Sequence, residues 1–162
     1  MARCATRTPA PRPYRISRPG GTTDGPTPAL CRHAAVVETA LGLTDDIKRR
    51  VVKTSDGDVL LDRAKVAYIA SKGDEHRERF ANRILPTLQE PSEVWMTYYD
   101  SGEYRKRYLK VFEGTGKKGR AGFAVVEETP GGAVLFQFVP KPRAGLNSQR
   151  TGALLYPKEK GE

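Results

Sequence analysis

The sequence has few of the residues that form disulfides or thiolate metal sites. Its two cysteines, Cys4 and Cys31, both precede residue 34, so residues 34–162 fold without a disulfide or a thiolate ligand. Cys31 and His33 are only two potential ligands in a stretch without folding signals, which is too few to predict a metal site. We therefore expect no metal ion.

Long apolar runs and phosphate loops are also missing. No run approaches the roughly 20 apolar residues that span a bilayer, and the first residues lack the apolar segment of a secretory signal. No glycine-rich segment has the spacing of a nucleotide-binding loop. We expect no membrane partner and no small-molecule cofactor, while delivery as the passenger of a larger particle or chain stays open.

Positive charge is abundant and unevenly distributed. The net charge is +9 and the pI is about 9.7, which favours a polyanionic partner such as nucleic acid. Residues 1–33 hold six arginines against Asp24 alone, and six of the twelve prolines lie within residues 1–30. This composition buries too little apolar surface to fold. We interpret residues 1–33 as a disordered basic linker and predict one domain over residues 34–162.

Local patterns after residue 50 predict a hairpin and then helices. Two β-prone runs flank Asp56-Gly57 in "RVVKTSDGDVLLD", which is typical of a hairpin. Asp62 is suited to cap a helix over "RAKVAYIASK", and Asp74 to cap another over "EHRERFANRIL". Pro86 favours a short third helical segment that Pro91 ends. The first of these helices has an apolar stripe of Val66, Ile69 and Ala70.

After Pro91 the apolar pattern has a period of two, which is typical of strands. Four runs, "EVWMTYY", "RKRYLKVFE", "GFAVVEE" and "AVLFQFVPK", are joined by short turn signals, and "RTGALLYPK" is a fifth candidate. The fold class predicted is α+β, with N-terminal helices packed on one face of a four- to five-stranded antiparallel sheet. The core predicted between helices and sheet comprises Phe80, Ile84, Trp95, Phe123, Phe136 and Phe138.

Several polar residues have the chemistry to bind a phosphate. Lys106, Tyr108 and Lys110 alternate onto one strand face, a pattern that fits a phosphate-binding ridge or equally a half-exposed strand. Gln137 is expected on the open sheet face, where it orients a substrate or is simply solvated. The donors that precede the last strand suit a phosphate or form an ordinary polar loop. They are Gln149, Arg150 and Thr151.

His76 is the only histidine of the predicted domain. On an α-helix it shares a stripe with Arg79 and Arg83. RNA cleavage without a metal ion needs a proton acceptor, a proton donor and cations for the charge that develops on phosphorus. His76 has a suitable pKa range for such proton transfer, although a histidine in the first turn of a helix is also commonly a solvated surface residue.

The motifs "EHRERFANRILPTLQEPSEVW", "RYLKVF", "GFAVVEETPGG", "FQFVP" and "QRTGALLYP" together resemble a phage-associated subfamily of the barnase, EndoU, colicin and RelE-like (BECR) nuclease superfamily. The resemblance covers residues 59–158. Members of this kind occur as C-terminal domains of phage head-morphogenesis proteins and of polymorphic toxins. The resemblance implies catalytic roles for His76, Tyr108, Lys110, Arg150 and Thr151, and an RNA contact for Arg79. The residue patterns described above add expected RNA contacts for Arg83, Lys106, Gln137 and Gln149.

This resemblance makes a toxin-like, metal-independent endoribonuclease the leading hypothesis. Such an enzyme cleaves tRNA or other RNA in the bacterial cytoplasm, and an acidic immunity protein or antitoxin neutralises it. One alternative is a non-catalytic module of the same fold that binds nucleic acid or a phage protein. Another is a basic adaptor of a secretion or packaging apparatus, whose function lies in residues 1–33.

Overall fold

The computed structural model describes residues 28–71, 77–113 and 120–157. They have the predicted α+β class, with α-helices, two 3-10 helices and one seven-stranded sheet. The helices are α1 (Pro28–Leu41), α2 (Arg63–Ser71) and α3 (Ile84–Gln89), and the 3-10 helices span Arg77–Arg83 and Arg143–Gln149. The strands are β1 (Arg49–Thr54), β2 (Gly57–Asp62), β3 (Glu93–Tyr98), β4 (Tyr104–Phe112), β5 (Arg120–Thr129), β6 (Gly132–Pro142) and β7 (Ala153–Tyr156).

The sheet has the strand order β1-β2-β6-β5-β4-β3-β7. Strands β3 to β6 form the predicted antiparallel meander, and β7 pairs antiparallel with β3 as a fifth strand. The predicted number of four to five strands is nevertheless wrong, because the β1–β2 hairpin joins the other edge of the same sheet. It joins by a parallel pairing of Val59 and Leu60 with Ala133 and Val134, so the sheet is not wholly antiparallel either.

The predictions that depend on neighbouring residues are confirmed around this hairpin. Thr54 pairs with Gly57, so the turn begins one residue earlier than predicted. Gly57 has a φ of 112°, which glycine adopts without steric cost. The Asp62 carboxylate accepts a hydrogen bond from the backbone N–H of Ala64 at 2.9 Å and so caps α2. The predicted stripe of Val66, Ile69 and Ala70 is buried.

The second predicted helix takes a different form. Its described part, Arg77–Arg83, is a 3-10 helix that leads directly into α3. A 3-10 helix has three residues per turn, so residues four apart do not lie on the same face. Arg79 and Arg83 therefore do not share the stripe predicted for an α-helix. His76 and the predicted cap Asp74 lie outside the described residues.

The last residues of the segment predicted as a linker are part of α1. Helix α1 begins at Pro28, a residue that the first turn of a helix tolerates, so residues 28–33 are helical. The helix continues because Val37 and Leu41 are fully buried in the core. Residues 1–27 lie outside the described residues, and the division of the chain into linker and domain stays a prediction.

The sheet carries an apolar cluster on each face. The first face, which we call the helix face, packs on the α-helices through Tyr108, Leu135 and Phe138. The opposite face, which we call the second face, is covered in part by the second 3-10 helix through Leu146. The second-face cluster contains Leu109, Ala121, Phe123, Val125, Val139 and Leu146, with Trp95, Val111 and Phe136 packed against it.

The predicted core is therefore wrong for three of its six members, since Trp95, Phe123 and Phe136 pack on the second face. A β-bulge in β6 explains Phe136: Val125 pairs with Gln137 but Val126 pairs with Leu135. The extra residue breaks the strict alternation of sides. Trp95 and Phe123 are misassigned because both faces bury apolar residues, so hydrophobicity alone does not distinguish them.

Candidate functional site

The residues that the sequence predicts as a site do not come together. Alternation along β4 places three of them on the helix face, where Tyr108 enters the apolar cluster. Four others lie at the second face or at the start of β7. Arg79 is exposed and Arg83 half-buried on the first 3-10 helix, and His76 lies outside the described residues. The helix-face group is Lys106, Tyr108 and Lys110, and the second-face group is Gln137, Gln149, Arg150 and Thr151.

Tyr108 is a buried structural contact. Its side chain is 1% exposed, and its hydroxyl lies 3.1 Å from the Thr54 hydroxyl. Tyr108 is the donor in this pair, since the Thr54 hydroxyl donates its own proton to the Gly57 carbonyl at 2.6 Å. Burial raises the pKa of Tyr108 and keeps it protonated. The residue thus connects β4 to the β1–β2 hairpin and has almost no surface to offer a substrate.

The two lysines of the helix-face group are already paired. Lys106 Nζ lies 2.8 Å from a carboxylate oxygen of Asp56 and 2.8 Å from one of Glu128. Burial opposes the charge of Lys106, but the two carboxylates outweigh it and raise its pKa. Lys110 Nζ donates to the Glu90 carbonyl at 2.7 Å and to its carboxylate at 3.2 Å. The helix face therefore presents little unpaired positive charge at these positions.

The second face holds a carboxylate between two donors, a group that we call the carboxylate clamp (Glu93, Trp95 and Arg150). Arg150 donates to both Glu93 oxygens, from Nη2 at 2.7 Å and from Nε at 2.8 Å. Trp95 Nε1 donates to the same carboxylate at 2.8 Å. The hydrogen bonds from Arg150, opposed by burial and supported by Trp95, lower the pKa of Glu93. Glu93 is consequently ionised at neutral pH.

Arg107 lies directly opposite Trp95 in the β3–β4 pairing. One terminal nitrogen, Nη1, donates to the Thr151 hydroxyl at 3.1 Å and to the Gln149 carbonyl at 3.5 Å. The other, Nη2, donates to the Tyr99 hydroxyl at 3.1 Å. Arg107 thus connects a phenol at the end of β3 with the segment that carries Arg150.

A third arginine stacks beside this group. The Arg105 guanidinium lies 5.2 Å from the centre of the Tyr99 ring and 4.4 Å from that of Phe136. Its contacts with the carboxylates of Glu103 and Glu127 are longer, at 3.4 and 3.8 Å. The aromatic rings attract the cation without neutralising it, so positive charge is retained on this part of the second face.

The position of β7 depends on a glycine. Gly152 has a φ of 99°, and a side chain there would overlap the backbone carbonyl of Met96 on β3. Next to it, the Thr97 hydroxyl donates to the Thr151 carbonyl at 2.9 Å. The close approach that glycine allows fixes residues 150 and 151 against β3, where they meet Glu93 and Arg107.

The second face therefore carries the groups that acid–base chemistry at a phosphate requires: an ionised carboxylate, guanidinium groups and a phenol. The segment of residues 149–151 connects them, since Arg150 contacts Glu93 and Thr151 contacts Arg107, which in turn contacts Tyr99. The sequence predicted Arg150 and Thr151 among them. The residues that it missed are Glu93, Tyr99, Arg105 and Arg107. Alternation in β4 already placed both arginines on one face, but nothing near Glu93 in the sequence indicated its partner 57 residues away.

The described part of the chain lacks two kinds of feature. No group of three or more His, Cys, Asp or Glu side chains is placed to hold a metal ion. No helix is long and apolar enough to cross a membrane.

The carboxylate clamp predicts a pH-dependent contribution to stability. Because the pKa of Glu93 is lowered from its ordinary value of 4.5, the ionised form stabilises the fold above that pH, and this contribution is lost as the pH falls through the lower folded pKa. We expect Glu93→Gln to reduce the free energy of unfolding more at pH 7 than at pH 3. Urea unfolding of both proteins at the two pH values measures this, and an equal difference at both would contradict the assignment.

Comparison with known proteins identifies a family. The model of the family described as phage-Barnase-EndoU-ColicinE5/D-RelE like nuclease2 matches residues 37–157. This range runs from the middle of α1 to the residue after β7 and so includes the whole second face. No curated protein and no solved structure gives a match.

Proposed function

Because the chain belongs to the phage-Barnase-EndoU-ColicinE5/D-RelE like nuclease2 family, as the resemblance in its sequence predicted, we propose that it is an endoribonuclease that works without a metal ion. The observation that supports this proposal is the cluster on the second face. An ionised carboxylate, Glu93, lies there with Arg107, Arg150 and the Tyr99 hydroxyl. These groups suffice for cleavage that uses the 2′-hydroxyl of RNA as nucleophile.

The proposed reaction assigns one role to each group. Glu93 accepts the proton of the 2′-hydroxyl, whose oxygen attacks the adjacent phosphorus. Arg107 and Arg150 hold the phosphate oxygens and stabilise the negative charge that develops on them. The bond from phosphorus to the 5′-oxygen breaks, and Tyr99 gives its proton to that oxygen. The products are a 2′,3′-cyclic phosphate and a free 5′-hydroxyl.

The existing hydrogen bonds support these roles. Tyr99 accepts a hydrogen bond from Arg107 Nη2, so its own proton is free for a substrate. Arg150 donates to Glu93 through Nε and Nη2, and to the Asn147 side chain through Nη1. When a phosphate takes over Arg150, the Glu93 carboxylate loses its strongest partner and becomes a better base.

Other members of the sequence-based site keep supporting roles in this proposal. Thr151 orients Arg107 through its hydroxyl, and Gln137 and Gln149 line the second face. His76 is the alternative proton donor. Four other residues of the sequence-based site lie on the helix side of the sheet: Tyr108, Lys110, Arg79 and Lys106. The catalytic roles predicted for the first two and the RNA contacts predicted for the last two would each require RNA on that side.

The biological role that we propose is that of a toxin. The substrate is tRNA or another cellular RNA in the bacterial cytoplasm, reached by delivery as the C-terminal domain of a phage protein or a secreted toxin. A net charge of +9 favours a polyanionic substrate and an acidic immunity protein or antitoxin as inhibitor. The alternative is a non-catalytic binding module of this fold. Expression without a partner in bacteria arrests growth for the toxin and leaves growth unchanged for the binding module.

Cleavage of total RNA in the presence of a chelator tests the proposal and its proton donor. The purified protein is expected to generate new 5′-hydroxyl ends, and Tyr99→Phe to lower the rate by about 10²-fold or more, the lower range for loss of one general acid. His76→Ala is the parallel variant and is expected to keep the parental rate. If His76→Ala lost activity and Tyr99→Phe did not, the proton donor would be His76, as the sequence suggested. If the parent protein did not cleave RNA, the proposed nuclease function would be refuted.

A further inference from the structure

Two arginines share one aromatic ring on the helix side of the sheet, where β4 ends and β5 begins. The Arg83 guanidinium lies 5.2 Å from the centre of the Phe80 ring, and that of Arg120 lies 5.5 Å from it. Arg83 also lies 4.9 Å from the centre of the Phe112 ring, and Phe112 pairs with Arg120 across the two strands. We call these four residues the arginine corner.

The arginine corner lacks a counter-charge within the described residues. Neither Arg83 nor Arg120 forms an ion pair there, whereas Arg49, Arg63 and Arg150 each contact a carboxylate at 3.0 Å or less. Burial and, after it, repulsion from Arg120 lower the pKa of Arg83. Two like charges are thus held together by packing on aromatic rings rather than by an acid.

One donor of the corner is buried without an acceptor. Arg83 Nη1 is inaccessible and has no hydrogen-bond partner among the described residues. A buried charged donor without an acceptor is costly, and its presence in a folded protein calls for an explanation. Arg83 is half-buried and Arg120 is exposed, so their N–H groups other than Arg83 Nη1 are available to a planar or tetrahedral set of oxygens. Phosphate is one anion whose geometry fits such donors.

We propose that the arginine corner is a second phosphate-binding site, which holds the backbone of a single-stranded RNA away from the point of cleavage. This inference rests on the proposed nuclease function. Phe112 lies three residues beyond Leu109, which is the partner of Glu93 in the sheet, or about 10 Å along β4 at the usual rise per residue. The corner also lies on the opposite face from Glu93. A dinucleotide at Glu93 does not reach it, whereas a longer RNA that passes around this end of the sheet does.

The salt dependence of RNA binding tests the site. The full chain with Glu93→Gln, which is expected to slow cleavage, is titrated with a fluorescent ten-nucleotide RNA and with a dinucleotide at several salt concentrations. Each lost contact with single-stranded nucleic acid reduces the slope of log K against log salt by about 0.7. For the ten-nucleotide RNA, we expect Arg120→Met and Arg83→Met each to reduce the slope by this amount, and the double variant to reduce it by twice this amount. Dinucleotide binding is expected to stay unchanged.

Lys53→Met is the matched control, since it removes one exposed positive charge from β1 at an edge of the sheet; its slope is expected to match that of the parent. Arg120 is exposed, so Arg120→Met keeps the test decisive if Arg83→Met does not fold. An unchanged slope in Arg120→Met overturns the second site. Cleavage of the dinucleotide by the parent protein, which retains Glu93, is measured separately. If the parent cleaves and the salt slope of Arg120→Met is unchanged, only the arginine corner is refuted. If the slope is reduced but the parent does not cleave, only the nuclease function is refuted.

Discussion

Replacement of Glu93 by glutamine is expected to lower the rate of RNA cleavage by about 10²- to 10⁴-fold, the range for removal of one general base. Glutamine keeps the size of the side chain and an oxygen that can accept from Arg150, but it takes up no proton from the 2′-hydroxyl. Single-turnover cleavage of a labelled RNA measures the rate, and circular dichroism establishes that the variant is folded. A rate within threefold of the parent would remove Glu93 from the mechanism.

Glu90→Gln is the matched control for this experiment. It makes the same chemical change in a carboxylate that contacts Lys110, a residue of the helix face. We expect Glu90→Gln to cleave at the parental rate. The pair of variants therefore distinguishes the two faces of the sheet, because a loss in Glu90→Gln alone would move the active site to the helix face and restore the sequence-based role of Lys110.

Truncation of Phe138 to alanine is expected to cost about 3–5 kcal/mol of unfolding free energy, the usual cost of removing a fully buried aromatic side chain. Phe138 is fully buried on the helix face. Its ring also occupies the space beside Gly122, where an added Cβ would lie 2.8 Å from the Phe138 ring. Because small domains are stable by only 5–15 kcal/mol, the loss is large enough to shift urea unfolding strongly.

Phe136→Ala provides the comparison. Phe136 is half-buried on the second face, packed against Arg105 and Tyr68, so its truncation removes less buried surface and is expected to cost less than that of Phe138. The sequence placed both residues in the same core. A larger loss for Phe136 than for Phe138 would support that original assignment and contradict the β-bulge.

The sequence predicted those parts of the fold that neighbouring residues determine. The hairpin depends on a turn glycine, the start of α2 on Asp62, and the meander on short connections between period-two strands. The bulge at Phe136 was not predictable, because one inserted residue changes the side on which later residues point without changing composition. The parallel pairing of β2 with β6 joins segments more than 70 residues apart, and no local pattern indicates it.

The candidate site was predictable in part for the same reason. Arg150 and Thr151 precede the last strand in a run of donors, which is a visible signal. Glu93 becomes informative only when β7 lies next to β3, because its carboxylate is one of several in the sequence until Arg150 contacts it. Arg107 acquires its role from Thr151 and Tyr99, which are likewise brought to it by the sheet.

The place of β7 at the edge of the sheet has a consequence for synthesis of the protein. Strand β3 is synthesised before β7, and Arg150 is added to the chain 57 residues after Glu93. The meander from β3 to β6 forms from contacts between consecutive strands, while the pairing of β3 with β7 closes a loop of more than 50 residues and is intrinsically slower. On the proposed mechanism, the nascent chain therefore cleaves no RNA until Gly152 has docked against β3 and brought Arg150 and Thr151 into place.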